Sequence, residues 1–129
     1  MKTVFKAGEI IAPRFWVFEG DTLYGPSKWH KEWPHDEPMH QPQVGMTLHG
    51  VYAFKSMDYL YGWLENAPKY KHIPVIVGTI RIWGTVYSAP KGWRGSYGRV
   101  HSLDAKVIGG RTRITDGEDL ERLRKRYVP

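Results

Sequence analysis

The side chains best suited to chemistry are aromatic and basic residues that alternate in the middle of the chain. They are Arg81, Trp83, Tyr87, Lys91, Trp93, Arg94, Tyr97, Arg99 and His101. Arginine and lysine pair with phosphate groups, and aromatic rings stack on nucleobases, so this combination on one surface is typical of nucleic-acid binding. The same side chains also pack on one another through cation–π contacts in a purely structural role, and the sequence leaves both interpretations open.

The charge distribution supports a polyanionic partner. The 129 residues carry a net charge of +6, yet residues 69–113 hold nine Lys or Arg and a single acid, Asp104, which gives this block +8. Residues 1–68 carry −2 and residues 114–129 are neutral. Concentrated positive charge attracts polyanions, of which nucleic acid is the commonest. The alternative is a solvated basic face that serves solubility.

Histidines and carboxylates between residues 30 and 49 raise the question of a metal site. The group consists of His30, His35, His40, His49, Glu32, Asp36 and Glu37. Imidazole and carboxylate ligands suit zinc or another divalent cation. A five-residue step, however, places the histidines on no common face of a helix or strand, and the chain has no cysteine. The sequence therefore predicts no bound metal and no cofactor.

Motifs for nucleophilic catalysis or phosphate binding are missing from the sequence. There is no G-x-S-x-G segment, and Ser56 is better explained as a helix N-cap. Gly92, Gly95 and Gly98 recur at three-residue steps inside a strand pattern rather than before a helix. These glycines indicate a bend in the strand or the close approach of another backbone or ring.

A β-hairpin over residues 74–100 must position the aromatic and basic side chains. Apolar, β-branched runs flank residues 89–92, where Pro90 favours a type I turn and Gly92 the positive φ of a bulge. Residues 76–88 are expected to pair antiparallel with residues 93–103. Period-two alternation gives the first arm two faces: Ile76, Ile80, Ile82 and Val86 on one, and Arg81, Trp83, Thr85 and Tyr87 on the other. The same count places Trp93, Tyr97, Arg99 and His101 together on the second arm.

Two helices are predicted from capping residues and periodicity. The first covers residues 56–66, with Ser56 as N-cap and Leu60 and Leu64 on a buried stripe. The second covers residues 116–126 and opens on a T-x-x-E capping box at Thr115.

Short strand patterns complete the prediction. They lie at residues 3–11, at 15–18 and 22–24 on either side of a turn, at 50–54 and at 102–108. Residues 25–48 are irregular because proline and glycine recur throughout. Trp29 and Trp33 lie within them, which favours a segment that is functional or wrapped over the core.

These patterns predict a single α+β domain over residues 1–129. Its architecture is a bent antiparallel β-sheet or small open barrel with two packed α-helices. No apolar run approaches the ~20 residues of a membrane span. The N-terminus lacks the apolar core of a signal peptide, and the absence of cysteine fits a reducing compartment. We therefore expect a cytoplasmic protein with no membrane partner.

Three segments resemble a family of small uncharacterised proteins from actinobacteria and their phages. They are residues 48–54 (LHGVYAF), 78–86 (GTIRIWGTV) and 92–100 (GWRGSYGRV). The family pattern reads C-x-C-G-I-Y-A, then V-x-L-W-G-x-V, then G-Y/W-R-A-x-Y-A. Thr47 and His49 stand at the two cysteine positions here. Because the family occurs in actinobacteria and their phages, the resemblance implies a phage or mobile-element origin. The family has no established activity, so the resemblance assigns no catalytic residue.

A fainter likeness connects residues 50–56 to the ADP-ribosyltransferase folds. In those folds a G-x-Y strand followed by a helix lines the nicotinamide pocket, and Gly50, Tyr52 and Ser56 match that arrangement in order. This likeness implies an enzyme that acts on a nucleotide-like substrate.

The function predicted from the sequence is a small basic module that binds nucleic acid. Its phosphate contacts would come from Arg81, Lys91, Arg94 and Arg99, and its stacking contacts from Trp83, Trp93 and Tyr97. One alternative is a small enzyme built from Tyr52, the histidines of residues 30–49, and Glu32 or Glu37. Another is a protein-binding or virion component whose exposed aromatic side chains bury against a protein partner.

Overall fold

The computed structural model describes residues 9–25, 31–41 and 50–128. In these residues seven strands form one antiparallel sheet that does not close into a barrel, and two α-helices pack on it. The strands are β1 (Ile10–Glu19), β2 (Thr22–Tyr24), β3 (Met39–His40), β4 (Val51–Phe54), β5 (Val75–Ser88), β6 (Gly92–Ile108) and β7 (Thr112–Ile114). The helices are α1 (Met57–Glu65) and α2 (Glu118–Tyr127), with a 3-10 turn at Pro68–Tyr70. The predicted α+β class with a bent, open antiparallel sheet is confirmed.

The β5–β6 hairpin is the centre of the sheet. The strand order is β2-β1-β5-β6. Strands β4, β3 and β7 pair one after another with the edge of β6 that faces away from β5. The predicted pairing of residues 76–88 with 93–103 is confirmed, and the ladder extends from Val75–Val107 to Ser88–Trp93. The prediction of a separate strand at residues 102–108 is wrong. Three register shifts absorb the extra residues, so this segment continues β6 as one 17-residue strand.

The turn of the hairpin differs from the prediction at its last residue. Ala89 and Gly92 exchange both backbone hydrogen bonds, at 2.9 and 3.4 Å, and leave Pro90 and Lys91 as a two-residue turn. Gly92 is not among the glycines of positive φ, so the predicted glycine bulge is wrong. Glycine is required there for another reason, because a Cβ would overlap the ring of Tyr52 on the neighbouring strand.

Each face of the sheet buries its own core. On the inner face, Ile76, Ile80, Ile82 and Val86 pack with Leu120 and Leu123 of α2. On the outer face, Val75 and Val77 pack with Leu60 and Leu64 of α1. The outer-face core covers only the end of β5 that pairs with the C-terminal end of β6. The rest of the outer face lies beyond α1.

Both helices form where they are predicted, but only one of the predicted caps is present. The hydroxyl of Ser56 accepts a 3.2 Å hydrogen bond from the Tyr59 amide at the start of α1. Helix α2 begins after Gly117, at φ 112°, and not at Thr115. The capping box is therefore wrong. Neither helix of the described residues is long and apolar enough to cross a membrane.

Residues 31–41, the described part of the irregular segment, lie over the inner-face core. Trp33 and Met39 are buried in the inner-face core, and Met39 begins the short strand β3. Tyr127 of α2 holds this segment in place. Its hydroxyl accepts a 3.0 Å hydrogen bond from the Leu23 amide and donates one of 3.1 Å to the Trp33 carbonyl. Trp29 lies outside the described residues.

We expect Tyr127→Phe to destabilise the protein by about 1–3 kcal/mol. The change leaves the buried amide of Leu23 and the carbonyl of Trp33 without their partner, and an unsatisfied buried polar group costs about that much. Urea unfolding measures the loss, with Tyr59→Phe as the matched control because Tyr59 is 47% exposed. Equal stability of the two variants would contradict the role assigned to the Tyr127 hydroxyl.

Candidate nucleic-acid interface

Three aromatic rings stack across neighbouring strands on the outer face beyond α1. Trp83 of β5 lies opposite Tyr97 of β6, and Tyr97 lies opposite His40 of β3. The Trp83 and Tyr97 ring centres are 5.7 Å apart with planes 9° from parallel, and those of Tyr97 and His40 are 4.4 Å apart at 5°. We call Trp83, Tyr97 and His40 the ring stack. It follows from cross-strand register, because directly opposed residues share a face of the sheet.

Two arginines form the next cross-strand row. Arg81 and Arg99 lie directly opposite each other, and both are exposed. We call them the arginine pair. Among the described residues, Arg81 makes one ion pair, a 3.6 Å contact with Glu9, and Arg99 makes none. Both side chains of the Arg81–Glu9 pair are nearly half exposed. Like charges opposite each other weaken a strand pair, so this arrangement does not serve the stability of the sheet.

Arg94 forms a further row on the other side of the ring stack. It lies opposite both Tyr87 and Tyr52, and its guanidinium carbon is 4.9 Å from the centre of the Tyr52 ring. Burial raises the pKa of Tyr52, and the charge of Arg94 opposes that rise. This row also combines a cation with aromatic rings, but the guanidinium of Arg94 already packs on the Tyr52 ring.

Trp93 lies on the other face of the sheet from Tyr97, which corrects the face predicted for it. Gly95 and Gly98 both face inward, because a Cβ on Gly95 would overlap Ile82 and one on Gly98 would press on Val51. Residues three apart share a face only where the period-two alternation is broken. Trp93 therefore packs against the inner-face core.

Lys55 occupies one face of the Trp93 ring. Its Nζ atom lies 3.5 Å from the ring centre and donates a 2.5 Å hydrogen bond to the Ser88 hydroxyl. Lys91 is exposed in the hairpin turn nearby. The structure thus brings Arg81, Arg99, Trp83 and Tyr97 together, places Arg94 in the adjoining row, and separates Trp93 and Lys91 from them.

His101 lies beyond the arginine pair in a small hydrogen-bonded cluster. Its Nδ1 atom is 2.9 Å from the Thr79 hydroxyl, which is also 2.7 Å from the Ser102 hydroxyl. His101 is the extra residue of a register shift, since Ile80 lies opposite Val100 and Thr79 opposite Ser102. This imidazole contacts hydroxyl groups and is not part of the ring stack.

His40 joins the ring stack, although the sequence pattern does not place it there. The sequence shows it only as one member of the spaced histidines in an irregular segment. Its position depends on β3, a strand of two residues that pairs with β6 at Gly98 and Tyr97. No local periodicity signals so short a strand.

The residues proposed for an enzyme come together only in part. Residues 31–40 and Arg126 line an open pocket of about 560 Å³, which brings His35 and His40 together with Glu32 and Glu37 but does not include Tyr52. Ser56 is engaged as the cap of α1. The described residues contain no group of three or more His, Asp or Glu side chains placed to hold a metal ion. His30 and His49 lie outside them.

Arg14 is a second feature that no sequence pattern indicates. Its Nη1 atom donates a 2.7 Å hydrogen bond to the Tyr52 carbonyl, and its guanidinium carbon is 4.7 Å from the Trp33 ring centre. Burial, with repulsion from Arg94, lowers the pKa of Arg14 to about 9. It thus remains charged at neutral pH. In the described residues β1 and β4 share no ladder hydrogen bonds, so Arg14 links them across the open side of the sheet.

The chain matches no protein-family model, and comparisons with curated proteins and with solved structures find no significant similarity.

Proposed function

We propose that this protein binds nucleic acid through the outer face formed by the arginine pair and the ring stack. The observation that carries the proposal is the adjacency of the two rows on β5 and β6. Two exposed guanidinium groups lie directly beside three parallel rings. Guanidinium groups pair with phosphate oxygens, and aromatic rings accept bases on their faces, so each row matches one part of a nucleotide.

The placement of two like charges directly opposite each other supports this function over a role in solubility. Three cations elsewhere in the described chain meet carboxylates: Lys106 and Arg122 both contact Asp119, and Arg126 contacts Asp21. In the arginine pair, Arg99 makes no ion pair with any described residue, and the contact of Arg81 is long and exposed. A phosphate placed between Arg81 and Arg99 would relieve their repulsion.

The outer face also differs from a typical protein-docking patch. The centre of such a patch is apolar and depleted of charge, with a polar rim. Here the exposed centre is a pair of cations next to rings. The rows extend along β6 from Arg99 through Tyr97 to Arg94, a charged strip of the kind that follows a phosphate backbone.

We expect Arg99→Ala to weaken nucleic-acid binding and to flatten its salt dependence by about one unit of slope. Each phosphate contact releases counterions, so losing one lowers the slope of log K against log salt by about that amount. The loss should be similar for every sequence tested, because phosphate contacts read no bases. Fluorescence anisotropy over a series of salt concentrations measures both quantities.

Lys125→Ala is the matched control for this measurement. It removes the same charge from an exposed position on α2, the helix that packs on the inner face. Its slope should stay close to that of the wild type. If the wild type retains no DNA or RNA at low salt, or if both variants lose binding equally, nucleic-acid binding at the outer face is wrong.

A further inference from the structure

We infer that the nucleic acid bound by the outer face is single-stranded, with an unpaired base stacked on the exposed end of the ring stack at His40. The inference rests on the proposed function and specifies its ligand. It also assigns a binding role to His40.

The ring stack has an open end at His40. Tyr97 is covered on both sides, by Trp83 and by His40, whereas His40 contacts no further ring among the described residues. His40 is exposed and lies on a short strand at the edge of the sheet. The 4.4 Å spacing and 5° tilt between His40 and Tyr97 are those of offset-stacked aromatic rings. A planar base added to His40 would extend the stack by one member.

Arg99 of the arginine pair lies within one nucleotide of that position. Arg99 follows Tyr97 by two residues on the same strand, which is about 6.6 Å along β6. Its guanidinium can therefore reach a phosphate next to a base that is stacked on His40. One nucleotide would then contact both rows at once, through its base and through its phosphate.

A duplex can use only one of these rows. Its phosphates are accessible to Arg81 and Arg99, but its bases are stacked on their neighbours, and unstacking one costs a few kcal/mol. An unpaired base meets no such cost. Base stacking on an aromatic side chain contributes roughly 5- to 150-fold in affinity per base, by conversion from about 1–3 kcal/mol. The structure thus predicts a preference of that size for single strands.

Three probes of equal length test the inference: a single-stranded oligonucleotide, its duplex, and a single strand whose nucleotides lack bases. The first is run as DNA and as RNA. The single strand with bases is expected to bind at least about 5-fold more tightly than the other two. His40→Ala should remove most of this preference and leave binding to the duplex and to the abasic strand unchanged. His40→Phe should preserve it, because the ring and not the imidazole nitrogens provides the contact.

His72→Ala is the control, since His72 is exposed and lies outside the ring stack. It should bind all three probes as the wild type does. Equal binding of the three probes by the wild type would overturn the single-strand inference while the proposed function stands. The same holds for a preference that His40→Ala leaves intact, which would place the base elsewhere. Failure to bind any probe would overturn the proposed function itself.

Discussion

Ile82→Ala is expected to lower the free energy of unfolding by about 2–5 kcal/mol, the range for truncating a fully buried isoleucine. Ile82 is 0% exposed at the centre of β5 and belongs to the inner-face core with Leu120 and Leu123 of α2. Its Cγ2 atom fills the space that the missing side chain of Gly95 leaves on β6. Gly95 has no side chain with which to refill that space, so the cavity will collapse poorly. Urea unfolding followed by tryptophan fluorescence measures the change.

Arg81→Ala is the control one residue earlier on the opposite face. Arg81 is nearly half exposed and its contact with Glu9 is 3.6 Å long, so the ion pair contributes little. Removing it also relieves the repulsion from Arg99 across the ladder. We expect a change within about 0.5 kcal/mol in either direction. A larger loss of stability for Arg81→Ala than for Ile82→Ala would mean that the buried and exposed faces of the hairpin are assigned the wrong way round.

The two faces of β5 were predictable because the apolar side chains that it buries on the inner face all lie an even number of residues apart. Ile76, Ile80, Ile82 and Val86 are all fully buried in the inner-face core, as the period-two count indicates. A continuous pattern of this kind reports burial directly, since every second side chain meets the same environment. The same alternation located the hairpin, and the i, i+4 spacing of Leu60 and Leu64 located α1.

The faces of β6 were not predictable by the same count. A register shift changes which residues share a face, and it depends on pairing with a distant strand rather than on local sequence. Between Gly95 and Gly98 the alternation is broken, which moves Trp93 to the inner face and leaves Tyr97 on the outer one. The three-residue spacing of the glycines was visible in the sequence, but nothing local showed which neighbours they admit.

The candidate site was predictable in two of its four predicted cations and not in its complete ring stack. Arg81, Trp83, Tyr97 and Arg99 follow from the strand pattern, since each lies on the exposed side of an otherwise apolar hairpin. His40 is 57 residues before Tyr97 in sequence and meets it through a two-residue strand. Arg14 likewise reaches Tyr52 across the open side of the sheet. Such contacts are set by how the sheet bends, which no short window of sequence encodes.

The register of the two central strands depends on Gly78, where β6 lies too close to β5 for a side chain. A Cβ at Gly78 would overlap the carbonyl oxygen of Ser102 and lie about 3.0 Å from the Cα atom of Leu103. Both obstacles are backbone atoms of β6, so no side-chain rotation can make room. Gly78 also sits at the first register shift of the hairpin and pairs with Arg14 of β1 on its other side.

We therefore expect Gly78→Ala to cost about 3 kcal/mol or more, the upper end of the range for overpacking. Gly62→Ala is the matched control, because Gly62 is exposed within α1 and a Cβ there meets nothing within 4 Å. Alanine favours a helix interior over glycine by about 0.5–1 kcal/mol, so this second variant should gain stability. The same substitution is thus expected to act with opposite sign at the two positions. Urea unfolding of both variants measures it, and a cost below about 1 kcal/mol at Gly78 would mean that β5 and β6 do not meet in this register.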